Sequence, residues 1–167
     1  TIHSVEKEKI MKTRYVPKTE KGPERYRVDF DERGVALDFP VIYLGLKRLI
    51  PLATEKKISQ KEFPLNNTEI RLFSKLSKKI LILLDKDISS EGIKSTNKDV
   101  LAMKTLKYGH LGNSAGQDNI GQIISSLISF IRLKNEQGKN FQGGLLLIDE
   151  VDATLYAGSQ IHLIEEL

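Results

Sequence analysis

The stretch Gly143-Gly144-Leu145-Leu146-Leu147-Ile148-Asp149-Glu150 decides the fold. Four consecutive large apolar residues follow a glycine pair and run straight into two adjacent carboxylates. A run this short, bounded by glycines, reads as a fully buried strand of a parallel sheet, because strands covered on both faces carry near-continuous apolar sequence. Ligands of open α/β sheets bind outside the carboxyl ends of the strands. Two acids at that end are therefore expected to bind something. The competing reading is a plain strand-to-loop exit with solvated acids, and what lies upstream decides between them.

One helix upstream stands Gly109-His110-Leu111-Gly112-Asn113-Ser114-Ala115-Gly116-Gln117, a small, polar, glycine-bearing loop. Ile120, Ile123, Ile124, Leu127, Ile128, Ile131 and Leu133 then form a helical stripe, which predicts a helix over about residues 118–134. Asp118 in the first turn, with Arg132 and Lys134 in the last, suits the helix macrodipole, and Gly138 is a stop signal. A Ser-Ala-Gly-Gln turn opening onto a helix N-terminus is an anion cradle, with a hydroxyl, free N–H groups and close backbone approach. Taken alone, a polar helix cap explains it equally simply. Followed by one helix, a loop (135–142) and a strand ending in two acids, it favours a nucleotide site.

These motifs resemble the ABC-type ATPases. Asn113-Ser114-Ala115-Gly116-Gln117 is similar to their signature loop, LSGGQ, with Asn113 in place of Leu and Ala115 in place of Gly. Leu145 to Asp149 resembles the Walker B strand, with Glu150 at the catalytic glutamate position and Val151-Asp152-Ala153-Thr154-Leu155 as the D-loop. Residues 113–167 are most similar to the SMC, RecF and OLD-like group, including ATPases of bacterial anti-phage systems. The longer signature-to-Walker B link suits this non-transporter branch. Val41 to Pro51 is more weakly similar to the segment around the Q-loop, but no glutamine corresponds and no residue is carried over. Tyr156 stands where many relatives place a histidine, and His162, in a helix, is not their switch histidine. No G-x-x-x-x-G-K-[ST] occurs, so the Walker A loop and its lysine are not among these residues.

The resemblance implies an α/β fold: a partial ABC-type P-loop NTPase head with an antiparallel β edge, a helical lobe and parallel core strands. One incomplete domain spans residues 1–167, with 1–48 β-rich, 52–112 mainly helical and 113–167 carrying the signature helix and Walker B region. It implies ATP and Mg²⁺ as cofactors. Asp149 would hold the metal, usually through water, and Glu150 would polarise the attacking water. Asn113, Ser114, Ala115, Gly116, Gln117 and Asp152 would meet ATP bound to a second head, giving a homodimer that ATP closes and hydrolysis releases. That switch would serve DNA repair, chromosome maintenance or phage defence, with nucleic acid or a nuclease as further partner.

Composition sets the bounds. The 167 residues suit one domain with a real core. The absence of cysteine excludes a disulfide framework, a thiolate metal site and a cysteine nucleophile, and it suits a reducing cytoplasm. No apolar run has membrane-spanning length and no signal-peptide pattern opens the chain, so no membrane partner is expected. The net charge of +4 permits nucleic-acid binding without demanding it. The opening at Thr1 and the ending at Leu167 within helical sequence are unlike natural termini, so a piece of a longer protein is expected.

The remaining segments carry weaker signals. Residues 1–40 read as half-exposed antiparallel strands: Arg14-Tyr15-Val16 before Pro17, a turn cluster at 18–23, alternation from Arg25 to Phe30, and a stop at Asp31-Glu32-Arg33-Gly34. Their basic residues Lys7, Lys9, Lys12, Arg14, Lys18, Lys21, Arg25 and Arg27 would keep a solvated sheet edge from pairing, or touch phosphates. Pro40 to Leu46 reads as a second buried strand, and Lys47-Arg48 at its exit either face a phosphate or are surface charge. Residues 52–63 read as a loop or short helix. Asn67 or Thr68 caps a helix whose apolar positions are Ile70, Phe73, Leu76, Ile80, Leu83 and Leu84, with Arg71, Lys75, Lys78 and Lys79 opposite. Leu101 to Tyr108 alternates as a strand. Asp85-Lys86-Asp87-Ile88-Ser89 starts like a calcium loop but has Ser90 where Gly is needed and Thr96 where Glu is needed, which rejects it. Asn66-Asn67-Thr68 matches a glycosylation sequon with nothing else pointing to secretion. The alternative function is a non-enzymatic basic scaffold that binds nucleic acid or a partner protein through residues 1–40 and 69–79.

Overall fold

A computed structural model describes the backbone of residues 2–4, 9–11, 13–17 and 26–30, and residues 40–84 and 87–167 with their side chains. The chain divides into two compact units, Thr1–Phe39 and Pro40–Leu167. The first therefore ends before residue 48. It contains two antiparallel pairs. Strand β1 (Ile2–Ser4) pairs with β2 (Lys9–Met11), and β3 (Thr13–Pro17) pairs with β4 (Tyr26–Phe30), Thr13 opposite Phe30. The turns expected at 18–23 and 31–34 and the basic side chains of this unit lie outside the described residues.

The second unit is mixed α/β, with one parallel and one antiparallel sheet. Strand β5 (Val41–Leu44) leads through 3-10 turns at Leu46–Leu49 and Leu52–Thr54 to the short β6 (Ser59–Gln60) and helix α1 (Asn67–Leu81). Strands β7 (Ile88–Lys94) and β8 (Asp99–Thr105) follow, then α2 (Ala115–Gln137), β9 (Leu145–Ile148) and α3 (Ala157–Glu166). β5 and β9 pair in parallel, Val41 opposite Leu145 and Leu44 opposite Ile148. β6, β7 and β8 form the antiparallel sheet in that order.

Residues 52–112 are thus not mainly helical: α1 is their one α-helix among the described residues, and β7 and β8 are paired strands. Burial explains this. Leu101 of β8 joins the cluster built by Phe73, Leu76 and Ile80 of α1 and Ile120, Ile123, Ile124 and Ile128 of α2. Its neighbours Val100 and Ala102 face the other way, into a second cluster with Leu52 and Ile93. Alternate residues buried on opposite faces are the period of a strand, not of a helix. The strand also begins and ends earlier than the expected 101–108. Each fully buried isoleucine or leucine in these clusters stabilises the fold by about 1.5–3 kcal/mol relative to exposure.

The cap of helix α1 is Asn66, one residue before Asn67 and two before Thr68, the expected caps. Asn66 Oδ1 accepts from the Glu69 N–H at 2.9 Å, and Glu69 Oε2 accepts from the Asn66 N–H at 2.8 Å, a reciprocal capping box. The helix stops at Leu81 because Ile82 turns left-handed at φ 54°, which leaves Leu84 almost wholly exposed rather than on the apolar stripe. Helix α2 begins before the expected residue 118 and ends at the expected Gly138, which takes φ 56°.

The decisive strand is paired in parallel, as read, but it is not buried on both faces. Leu44 and Ile148 pack on the core. On the opposite face of the β5–β9 pair, Val41, Tyr43, Leu145 and Leu147 are between 44% and 64% exposed. An apolar run therefore does not report two covered faces here.

Candidate functional site

β9 delivers Asp149 and Glu150 past the end of β5, and the Asp149 N–H extends the ladder to the Leu44 carbonyl at 3.1 Å. The glycine pair serves the strand's entry. Gly143 takes φ 111°, and a Cβ on Gly144 would fall 2.1 Å from the ring of Phe130 on α2. After the strand comes a tight turn, with the Ala153 N–H donating to the Glu150 carbonyl at 3.1 Å and the Leu155 N–H to the Asp152 carbonyl at 3.3 Å. Glu150 itself lies in the left-handed region at φ 47°, and Thr154 at φ 68°. Such conformations cost a non-glycine residue on the order of 1–3 kcal/mol, and surrounding contacts must hold them. The carboxylates of Asp149, Glu150 and Asp152 are exposed. Asp149 Oδ2 accepts from the Tyr43 hydroxyl at 3.4 Å.

The holding contact is Arg48. It is neither surface charge nor phosphate-facing, the two readings open for it in sequence, because it is only 2% exposed and turned inward. Nη2 donates to the carbonyls of Asp149 and, at 2.9 Å, of Glu150. Nη1 donates to Leu44 and Gly45 carbonyls at 2.9 and 3.1 Å, and Nε to Asn119 Oδ1 at 2.9 Å. Desolvation pulls its pKa down, opposed by the charges of Asp149 and Glu150. Asn119, in the first turns of α2, is fully buried and donates from Nδ2 to the Ala153 carbonyl at 3.2 Å and Thr154 Oγ1 at 3.4 Å.

Asp118 stands in the first turn of α2, as the macrodipole reading expects, and it is fully buried. It accepts from the Leu52 N–H at 2.8 Å and Asn113 Nδ2 at 3.3 Å, with Lys98 Nζ at 3.8 Å. Lys98 also donates to the carbonyls of Arg48, at 3.0 Å, and Ile50. Burial drives the Asp118 carboxyl pKa up and the Lys98 ammonium pKa down.

The signature-like residues divide by role. Asn113 is buried and donates to the Met103 carbonyl at 3.0 Å, while its Oδ1 has no partner. Ser114 is exposed and caps α2: its Oγ accepts from the Gln117 N–H at 3.2 Å, and Gln117 Oε1 accepts from the Ser114 N–H at 2.8 Å. Gln117 Nε2 donates onward to the Tyr108 hydroxyl at 2.7 Å. Ala115 is half-buried. Gly116 is buried against the Thr154 carbonyl, where a Cβ would stand 2.5 Å from the oxygen. The first turn of α2 is thus brought against the turn that follows Glu150, through Gly116–Thr154 and Asn119–Thr154. Asp152 contributes its carbonyl to Gln160 Nε2 at 3.2 Å.

Among the described residues no cluster of three or more His, Cys, Asp or Glu side chains is placed to cage a metal, and no helix is long and apolar enough to cross a membrane. Comparison with protein-family models, curated proteins and solved structures found no match to this chain.

Proposed function

We propose that this chain carries the hydrolytic half of an ATP site in an ABC-type head of the SMC, RecF and OLD-like group, which closes on a second copy around nucleotide. The observation that carries the reading is the held backbone of Asp149 and Glu150. One buried guanidinium fixes both carbonyls while both carboxylates stay exposed. Phosphoryl transfer asks the protein for positioning and charge stabilisation rather than covalent chemistry.

Asp149 would hold Mg²⁺. A single accessible carboxylate suits an ion that takes one or two carboxylates and completes its shell with water and phosphate oxygens. When bound, the ion supplies neutralisation of charge on those oxygens. Glu150 would orient the attacking water by accepting its proton in a hydrogen bond. Ser114 Oγ already accepts from Gln117, so its O–H remains a donor for the γ-phosphate of ATP on the second copy. The first-turn N–H groups of Ala115 and Gly116, which have no helical carbonyl to bond, would add to it. Asn113 and Gln117 would support that loop, and Asp152 would lie at the paired surface. The Walker A loop must come from outside residues 1–167, so this stretch alone is expected to show no turnover. The cycle would drive a switch in DNA repair, chromosome maintenance or phage defence in the cytoplasm, with nucleic acid or a nuclease as partner.

A mixing experiment tests the two-headed site. In the full-length protein Ser114→Arg and Glu150→Gln should each abolish ATP turnover. Mixed dimers regain one site with both parts intact, so the mixture should hydrolyse ATP. A mixture as inactive as its components would reject the shared site.

A second reading rests on a separate observation. Arg71, Lys75 and Lys78 of α1 and Lys104 of β8 line a groove of about 790 Å³ whose one acidic lining residue is Asp87. This surface favours the non-enzymatic alternative, a basic scaffold for nucleic acid or a partner protein.

A further inference from the structure

We propose that Arg48, steadied by Asn119, is the positioning residue that sets where the Glu150 carboxylate points. This rests on the reading of Glu150 as the group that orients water for ATP hydrolysis. The argument is geometric. The two peptide planes that flank the Glu150 α-carbon carry the carbonyls of Asp149 and Glu150. Peptide planes are rigid, so their orientations determine φ and ψ between them, and with these the direction of the Cα–Cβ bond. Both carbonyls accept from one nitrogen, Arg48 Nη2. Glu150 sits at φ 47°, a conformation that its side chain disfavours and that therefore needs an external hold.

The rest of the guanidinium is committed to the same task. Nη1 grips Leu44 and Gly45 at the end of the neighbouring strand, and Nε grips Asn119. All three nitrogens are engaged away from solvent, which leaves Arg48 no route to a phosphate. A desolvated charge costs several kcal/mol unless its donors are met, and here main-chain carbonyls and one amide oxygen meet them. Asn119 closes the frame from the other side by donating to Ala153 and Thr154, three and four residues beyond Glu150. A lysine at position 48 keeps the charge but has one nitrogen, and it cannot reproduce a planar fork that spans four carbonyls.

The test uses the full-length protein with Arg48→Lys and, should that variant fail to fold, Asn119→Asp. The aspartate keeps an acceptor for Nε and loses the donor to Ala153 and Thr154. Two readouts are taken: amide hydrogen exchange without nucleotide, and steady-state ATP hydrolysis with Mg²⁺. Exchange at residues 149–154 should accelerate roughly tenfold or more while α1 and β8 keep their protection. The kcat should fall roughly tenfold to a hundredfold with KM for ATP held within about twofold. Unchanged exchange at 149–154 overturns the proposal, as does faster exchange with kcat preserved. A raised KM at constant kcat also overturns it, since Arg48 would then be meeting nucleotide. If the unaltered protein neither binds nor hydrolyses ATP, the nucleotide reading fails on its own, and the exchange result still decides whether Arg48 sets the Glu150 backbone.

Discussion

Gly116 lies against the main-chain carbonyl of Thr154, so closely that a Cβ on the glycine would stand 2.5 Å from the oxygen. The obstacle is backbone, not the movable end of a side chain. In the exposed interior of a helix, alanine is favoured over glycine by about 1 kcal/mol. Here the sign should reverse. Gly116→Ala is expected to destabilise the fold by about 1–3 kcal/mol by driving α2 and the 151–154 turn apart. Chemical denaturation measures it, and an equal or higher midpoint at unchanged slope would remove the packing role of this glycine.

The capping box of α1 is also an ion-pair site. Glu69, nearly buried, receives Arg132 Nε at 2.6 Å and Nη2 at 2.7 Å. The hydrogen bond from Arg132 is the main cause holding its carboxyl below the ordinary value of 4.5. Between that value and the lowered one, the unfolded chain binds more protons than the folded chain. Stability contributed by this contact is therefore complete above pH 4.5 and is lost as pH falls through the folded pKa. Glu69→Gln should cost about 1.5–3 kcal/mol at neutral pH and should flatten the acid limb of the stability profile. An acid limb of the same slope in the variant would show that other carboxylates govern it.

The basic groove gives the alternative its own test. Arg71→Glu with Lys75→Glu reverses charge on an exposed helix face, away from Asp149 and Glu150. If nucleic acid lies along this surface, the affinity of the unaltered protein for a single-stranded oligonucleotide should fall steeply with salt, and the double variant should flatten that dependence by about two phosphate contacts' worth of slope. Binding that is absent, or identical in the two proteins, rules the groove out as a nucleic-acid surface.

Signals that are local in the chain were legible. The stripe from Ile120 to Ile131 marked α2, Gly138 marked its end, and the run Leu145 to Ile148 marked a parallel strand. Through-space facts were not. β7 carries Ser89, Ser90, Glu91 and Gly92 at its centre, a polar stretch that becomes a strand because β8 and β6 pair with it. The burial of Asp118 was not marked in the sequence because its partners Lys98 and Leu52 are distant along the chain. For the candidate site, Asp149 and Glu150 were visible as acids after an apolar run. The clamp was not: Arg48 was conspicuous beside Lys47, but nothing marked Asn119 as its partner. The open face of the β5–β9 pair was also hidden, since Leu145 and Leu147 read the same whether or not something covers them.

Glu150 decides the central claim. In the full-length protein with Mg²⁺, Glu150→Gln preserves size and hydrogen-bonding reach while removing the charge that orients water. ATP binding and ATP-dependent dimerisation should survive, and turnover should fall by roughly a hundredfold or more. Hydrolysis at the unaltered rate would contradict the assignment of these acids to an ATP site.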